Sequence, residues 1–225
     1  VGNLTKLTSL YLNENQLSGA IPAEIGNLTN LIHLALFNNQ LSGTIPVEIG
    51  NLINLKRLIF NENQLTGAVP YTITNLTQLE YFIIQKNRFS DLPDMSSLTS
   101  LISLFVHENH LTFEDIEPNI GITGFTYIPQ DSVGEEQDTT LSEGERITLS
   151  VDVGGTSNQY QWKKDGVPIE GATDSDYTIE TVTLSDSGAY TCEITNTVVT
   201  DLTLYSLPVN VLVKPTTDVL HQQET

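Results

Sequence analysis

The chain repeats itself every 24 residues, and this period limits its possible folds more than any other feature. Leucines begin the repeats at three intervals of 24 residues and a last interval of 22. They are Leu4, Leu28, Leu52, Leu76 and Leu98. One such segment is too short to bury its apolar side chains alone, so neighbouring segments must stack on it to exclude water. The period therefore predicts a solenoid of five coils.

The fullest copy of the repeat lies at residues 27–50, NLTNLIHLALFNNQLSGTIPVEIG. It fits L-x-x-L-x-L-x-x-N-x-L followed by L-x-G-x-I-P, which is the signature of leucine-rich repeats. The long form with Ile-Pro or Val-Pro resembles the plant-type subclass over about residues 2–75. This resemblance implies an α/β-type solenoid, mostly β with short 3₁₀ or helical segments.

The two ends of the array depart from this pattern. The first coil begins in the middle of a repeat, and we expect further repeats upstream because solenoids need a cap at each end. The fourth coil is two residues shorter and has Asp91 in place of the glycine, so its outer side must follow a different path. Phe113, Ile116 and Ile120 then suit a cysteine-free cap that closes the last coil.

An asparagine recurs at the end of each predicted strand. At a sharp bend, an amide side chain can bond backbone groups that would otherwise lack partners. We therefore predict that these residues belong to the scaffold and do not contact a ligand. They are Asn15, Asn39, Asn63, Asn87 and Asn109.

Side chains on the predicted strands alternate between the solenoid interior and solvent. This alternation assigns three columns of outward residues to the concave sheet. The first column is Ser9, His33, Arg57, Tyr81 and Ser103. The middle column is Tyr11, Ala35, Ile59, Ile83 and Phe105. The third column is Asn13, Phe37, Asn61, Gln85 and His107.

The middle column is the best candidate for a binding surface, because most of its residues are large and apolar although the repeat pattern does not require it. An aligned apolar patch is often functional, and aromatic residues beside Arg and His are typical of protein-binding surfaces. The other interpretation is that β-propensity alone favours Ile, Phe and Tyr on a strand. We predict partner contacts from Tyr11, His33, Phe37, Arg57, Ile59, Tyr81, Ile83, Phe105 and His107.

In the second half of the chain the apolar period changes to two, with turn signals between short segments. Apolar and polar residues alternate at 147–152, Trp162 precedes a Lys-Asp-Gly turn, and the sequence DSGAYTC ends at Cys192. This part resembles an immunoglobulin-like domain over about residues 124–214. The resemblance implies an all-β sandwich in which Trp162 is buried and Tyr190 forms the tyrosine corner.

The usual disulfide of that family is absent. The cysteine that pairs with the position of Cys192 would stand eleven residues before Trp162, where this chain has Val151. Cys192 is the only cysteine, so no internal disulfide can form. We predict that Cys192 is an inert core residue that packs like a small apolar side chain.

Charge and composition argue against several functions. The formal net charge is −19, of which residues 1–120 carry −6 and residues 121–225 carry −13. Such a surface repels nucleic-acid phosphates and anionic lipids, and no apolar run is long enough to span a membrane. The histidines form no catalytic or metal-ligating pattern, so we expect neither an enzyme nor a cofactor. The acidic residues at 131–138 and around Asp174 and Asp176 do not follow the EF-hand order, and they leave a weak surface Ca²⁺ site open as an alternative.

We divide the chain into a leucine-rich repeat domain with its cap at residues 1–122, an immunoglobulin-like domain at 123–214 and a disordered tail at 215–225. This combination is similar to extracellular adhesion and recognition proteins. The resemblance implies a secreted or surface-bound, non-enzymatic module that binds a protein partner through its concave face. The cysteine-free cap and domain favour a bacterial surface protein.

Other interpretations stay open at this point. The module could be a spacer within a larger surface protein, or its partner could be a second copy of the chain. It could also bind carbohydrate or cell wall. In that case the aromatic residues would stack on sugar rings while amides supplied polar contacts, which assigns these roles to Tyr11, Tyr81, Phe105, Asn13, Asn61 and Gln85.

Overall fold

The computed structural model describes residues 2–216, and the predicted tail lies outside it from residue 217 onward. Two compact units divide these residues. The first runs through Asp131 and also contains Val153–Ser157 and Asn196–Thr203. The second comprises Ser132–Asp152, Asn158–Thr195 and the residues from Leu204 onward. The first unit thus continues past the boundary that the sequence suggested at residue 122.

The first unit consists mainly of short strands. They are β1 (Ser9–Tyr11), β2 (Ser18–Gly19), β3 (His33–Ala35), β4 (Gln40–Gly43), β5 (Arg57–Ile59), β6 (Gln64–Ala68), β7 (Tyr81–Ile83), β8 (Arg88–Asp91), β9 (Ser103–Phe105) and β10 (Phe125–Thr126). The 3₁₀ segments Ala23–Asn27, Val47–Asn51 and Tyr71–Asn75 each follow a proline, and α1 (Phe113–Ile116) leads into the 3₁₀ segment Glu117–Asn119. None of the helices within residues 2–216 has the length and apolar character needed to cross a membrane.

Strands β1, β3, β5, β7, β9 and β10 form the main sheet in that order, and all of them run parallel. Equivalent repeat positions lie opposite one another, so that Leu10 pairs with Leu34 and Leu34 with Leu58. This register confirms the predicted stacking of one coil on the next. The sequence did not predict β10, whose Phe125 pairs with Leu104, and this strand is why the first unit extends past residue 122.

A second parallel sheet contains β2, β4, β6 and β8. Its register shifts between Gly67 and Ala68, so that Ala68 pairs with Asp91 after Gly67 has paired with Phe89. A bulge of this kind accommodates an unequal number of residues on two paired strands. The irregular path predicted for the shorter fourth coil is therefore confirmed.

The ladder asparagines hold consecutive coils together. Asn63 Nδ2 donates to the carbonyl oxygens of Leu36 in the preceding coil and Phe60 in its own coil, both at 3.0 Å. Its Oδ1 accepts from the backbone N–H of Leu41 at 3.0 Å. Asn39 and Asn87 repeat the pattern, as the scaffold prediction requires.

We expect Asn63→Ala to lower the free energy of unfolding by about 2 kcal/mol, because it leaves part-buried backbone groups of two coils without partners. Asn61→Ala is the matched control, since the third-column residue Asn61 engages the ladder only through its backbone carbonyl. The control should lose less than about 0.5 kcal/mol. Urea unfolding measures both, and equal losses would contradict the scaffold role of Asn63.

Each ladder asparagine follows a residue in the left-handed backbone conformation. The φ angles of these five residues lie between 53° and 57°, at Asn38, Glu108, Glu14, Glu62 and Lys86. Residues other than Gly and Asn rarely adopt this conformation, because it costs them about 1 kcal/mol or more each. The ladder hydrogen bonds compensate for this strain and turn the chain out of the main sheet directly after each third-column residue.

The cap after the fifth coil is only partly as predicted. Phe113 and Ile116 are fully buried, but Ile120 is 42% exposed and does not close the coil. Asn119 is buried instead, and its side chain accepts from Met95 N at 2.9 Å and donates to carbonyl oxygens of the cap and the fourth coil. An amide replaces the expected apolar residue because backbone groups of the irregular fourth coil need hydrogen-bond partners.

The pKa values of two carboxylates in the cap are shifted in opposite directions. Burial raises the pKa of Asp115, although N–H groups of Thr112 and Leu92 partly counteract it. At Glu117 desolvation acts in the same direction, but hydrogen bonds from Thr156 and Asn196 outweigh it and lower the pKa below its ordinary 4.5. Glu117 accepts from Thr156 N at 2.8 Å and Asn196 Nδ2 at 2.7 Å, all within the first unit.

Because the pKa of Glu117 is lowered on folding, its ionised form contributes stability above the ordinary pKa and loses it as the pH falls through the lowered one. We expect Glu117→Gln to destabilise the protein by about 1–2 kcal/mol at neutral pH, and the difference from wild type should shrink below pH 4.5. Thermal unfolding at several pH values tests this. The exposed Glu24→Gln is the control, and a pH-independent difference for Glu117→Gln would contradict the prediction.

The second unit contains two sheets. Its strands are β11 (Gln137–Ser142), β12 (Ile147–Ser150), β13 (Asn158–Lys164), β14 (Val167–Pro168), β15 (Asp176–Ile179), β16 (Gly188–Asn196), β17 (Leu204–Tyr205) and β18 (Val209–Lys214). The larger sheet has the order β11–β18–β16–β13–β14, with β17 also paired to β16, and the smaller sheet pairs β12 with β15. Strand β11 runs parallel to β18. The pairs β12–β15, β13–β14, β16–β17 and β16–β18 are antiparallel.

Aromatic residues fill the space between these two sheets. Trp162 of β13 is 1% exposed, and its ring centroid lies 6.4 Å from that of Tyr177 on β15. The Tyr190 hydroxyl donates to the carbonyl oxygen of Asp186 at 2.8 Å, which is the hydrogen bond expected of a tyrosine corner. Both aromatic predictions for this half of the chain are therefore confirmed.

Candidate functional site

The main sheet presents the predicted columns in register. In the first column Ser9 pairs with His33, and the pairing continues through Arg57 and Tyr81 to Ser103. In the middle column Tyr11, Ala35, Ile59, Ile83 and Phe105 pair in the same way. Phe37 and His107 of the third column lie just beyond the strands. Their carbonyl oxygens accept from the backbone N–H groups of Glu14 and Lys86, each in the preceding coil.

The exposure of these columns is uneven. Tyr11 is 61% exposed, whereas Ile59, Ile83 and Phe105 are half-buried. Ala35 was predicted to face solvent but is only 2% exposed, because its small side chain lies between larger neighbours on both sides. The middle column is thus a continuous but partly shielded apolar stripe. Of the other predicted contact residues, Arg57 is exposed and His33, Phe37, Tyr81 and His107 are half-buried.

Aromatic contacts order the side chains on this face. The rings of Tyr11 and His33 stack with their centroids 6.3 Å apart, and those of Phe105 and His107 lie 6.4 Å apart. Such contacts restrict the side-chain rotamers before any partner arrives. A surface that is already ordered loses less conformational entropy on binding.

Arg57 is the principal cation of the face. Its guanidinium carbon lies 4.7 Å above the ring centroid of Tyr81, which is a cation–π contact. Within residues 2–216, no carboxylate oxygen lies within 4.0 Å of its guanidinium nitrogens. The adjacent Lys56, by contrast, forms an ion pair with Glu80 at 2.8 Å and lowers the pKa of that carboxylate by its hydrogen bond and charge.

Three polar atoms of the face are buried without a hydrogen-bond partner among the described residues. They are His33 Nδ1, Gln85 Oε1 and His107 Nδ1. A buried polar atom without a partner costs about 1–3 kcal/mol, so stability alone does not favour these residue types here. Departures from the most stable arrangement are expected where a surface has a functional role.

A polar groove that the sequence pattern did not reveal lies beside the starts of the strands. It is lined by Lys6, Thr8, Asn30, Ile32, Asn54, Lys56 and Gln78. Asn30 Nδ2 donates to Thr5 O at 2.8 Å and Asn54 Nδ2 to Thr29 O at 3.0 Å, so these amides form a second ladder between coils. The signal that could have revealed it was an amide three positions before the first-column residue in the second, third and fourth coils, at Asn30, Asn54 and Gln78.

Cys192 is the one thiol of the chain. It is fully buried, and burial raises its pKa to about 11. The thiolate is the reactive form of cysteine, so this environment suppresses nucleophilic and redox chemistry at neutral pH. This geometry supports the packing role expected for Cys192.

Two family models match separate parts of the chain. A Leucine Rich Repeat model matches residues 6–28 and 30–52, and an Immunoglobulin domain model matches residues 130–196. The leucine-rich repeats predicted from the sequence are thereby confirmed, and the second half contains a segment similar to immunoglobulin domains. None of the curated proteins matches the chain.

Similar solved structures contain leucine-rich repeats. The leucine-rich repeat ectodomain of the plant membrane receptor kinase GASSHO1/SCHENGEN3 from Arabidopsis thaliana, in complex with CASPARIAN STRIP INTEGRITY FACTOR 2, is 29% identical with a TM-score of 0.50. A TDR receptor is 29% identical with a TM-score of 0.53. Each match covers 63% of this chain but only 17% and 24% of the other chain. The chain therefore spans less than a quarter of these relatives.

We expect Cys192 to react with a maleimide reagent at neutral pH at least about a hundredfold more slowly in the folded protein than in urea, because the rise in its pKa from 9.0 to about 11 depletes the thiolate. Mass spectrometry of timed samples gives both rates. Comparable rates in the two states would contradict an inert buried thiol.

Proposed function

We propose that this chain is a non-enzymatic recognition module that binds a protein partner through the outward face of its main sheet, which is the predicted concave face. The observation that carries the proposal is the middle column, in which Tyr11, Ile59, Ile83 and Phe105 lie in register on the outward face of the sheet. Because the stripe is apolar and continuous, a partner can exclude water along its whole length.

The surroundings of the stripe support a protein partner. Aromatic residues and arginine contribute most strongly to protein interfaces when they lie near the centre, where neighbouring groups exclude water. Here Arg57 and Tyr81 flank the stripe on one side, and Phe37 and His107 flank it on the other. This arrangement of an apolar centre with a polar rim is typical of binding interfaces.

The proposal extends to location and architecture. One relative is named as the ectodomain of a receptor kinase in complex with a factor, which supports an extracellular or cell-surface setting for this chain. We propose that the second unit is an immunoglobulin-like sandwich, on the evidence of its two sheets and the matching family model. The cysteine-free cap favours a bacterial surface protein of the adhesion type over an animal one.

Carbohydrate binding is the second candidate. The exposed ring of Tyr11 and the amides of Asn13 and Asn61 on the same face are groups that bind sugars by stacking and hydrogen bonding. A glycan array distinguishes the two candidates, because a protein-specific surface should give no signal on it.

We expect Ile59→Ser combined with Phe105→Ser to weaken binding to a protein partner by about tenfold or more, because these substitutions interrupt the stripe at two strands. The probe is an array of extracellular protein domains, screened with the biotinylated chain. Hits are then measured by biolayer interferometry.

The matched control is Ile53→Ser combined with Tyr71→Ser. These residues are 55% and 75% exposed, and they lie outside the main sheet. The control removes a similar apolar surface and should leave binding unchanged. If the test pair binds the array hits as well as wild type does, protein recognition by this face is wrong.

A further inference from the structure

The outward columns of the main sheet differ in charge from the rest of the molecule. The chain contains 28 Asp and Glu residues, yet none of them falls within the three columns. The columns instead contain one arginine and two histidines, namely Arg57, His33 and His107. Carboxylates lie only beside the columns, at Glu80 and at left-handed positions such as Glu62. The face is therefore a non-acidic area on an acidic protein.

Arg57 is arranged to bind a planar anion. The ring of Tyr81 holds its guanidinium from one side, while the side chain stays exposed and forms no ion pair within 4.0 Å among residues 2–216. Glu80 interacts with it through its charge but is paired with Lys56. A guanidinium held in this way loses little freedom when its N–H groups form a bidentate pair with a carboxylate. The neighbouring Lys56 is less suited to bind an anion, because it already forms an ion pair with Glu80.

The apolar stripe lies next to this cation. Ile59 is two residues beyond Arg57 on the same strand, and it pairs in register with Ala35 on the neighbouring strand. Ala35 is only 2% exposed, so the accessible apolar surface beside the cation is that of the half-buried Ile59. A partner side chain that packs on Ile59 would lie on the same strand as the guanidinium.

We infer that the partner presents an acidic side chain, Asp or Glu, to Arg57 and an adjacent apolar side chain to the stripe at Ile59. The occupant is an exposed acidic and apolar segment of another protein. This inference rests on the proposed function, because it assumes that the face binds a protein. It adds the chemical identity of the segment that is recognised.

The negative charge of the whole chain then contributes to specificity. An acidic segment is repelled by most of this chain, whose formal net charge is −19, and is attracted by Arg57 on a face whose columns contain no carboxylate. Repulsion from alternative positions is an effective way of fixing one register of binding. A basic segment would be attracted to many positions and would gain no such selection.

The test is a selection of displayed random peptides on three immobilised proteins: wild type, Arg57→Glu and Arg88→Glu. Arg88 lies on β8 in the second sheet, so its substitution makes the same change of charge away from the face. We expect wild type and Arg88→Glu to enrich peptides with Asp or Glu beside an apolar residue. Arg57→Glu should enrich Lys or Arg at the equivalent position.

Synthetic copies of the enriched acidic peptides then bind wild type about thirtyfold more tightly than they bind Arg57→Glu, and the difference decreases with added salt. Circular dichroism confirms that the variants are folded. Peptides without acidic residues, or the same acidic peptides enriched on Arg57→Glu, would overturn the inference. If light scattering shows self-association that Arg57→Glu abolishes, the occupant is a second copy and the assignment to another protein is wrong.

The failure of the proposed function gives a different result. Enriched peptides that still bind Ile59→Ser combined with Phe105→Ser would show that the apolar stripe is not the binding surface, and both proposals would be abandoned. Peptides that depend on the stripe but show no preference for acidic residues would overturn only the role of Arg57.

Discussion

The fold of the first unit depends on hydrogen bonds that run from the side chain of one coil to the backbone of the next. At the bends of the second to fifth coils an asparagine amide both donates to carbonyl oxygens and accepts from an N–H group, so one side chain serves groups of two coils. A single coil gains little from its leucines alone, because their burial is complete only after stacking. Hydrophobic burial therefore stabilises the array, while the asparagines determine how far each coil is displaced from its neighbour.

This division of roles leaves the outward face free to vary. The inward side chains Leu34, Leu58 and Phe82 are fully buried and fill the coil interior. The residues between them are set in register by the backbone, whatever their side chains are. Apolar, cationic and amide groups can therefore be placed in columns without a cost to the stacking. The same independence makes it informative that carboxylates are missing from those columns.

The repeat period, the ladder, the column register and the aromatic core of the second half could all be predicted from the sequence, because each depends on local periodicity or on a strongly constrained residue. The exposure of individual residues could not. Ala35 is covered by neighbours one coil away. Asn119 is buried where Ile120 was expected, because backbone groups of the irregular fourth coil need an amide as their hydrogen-bond partner. Strand β10 was missed since two residues, Phe125 and Thr126, carry no periodic signal.

Strand β10 also covers one edge of the main sheet, where another chain could otherwise pair. A parallel sheet that ends in an open strand offers unpaired N–H and C=O groups to other chains. Here Phe125 and Thr126 already occupy that side of β9, and the added strand is too short to serve as a good template itself. The two residues of β10 therefore protect this edge of the sheet from pairing with another chain.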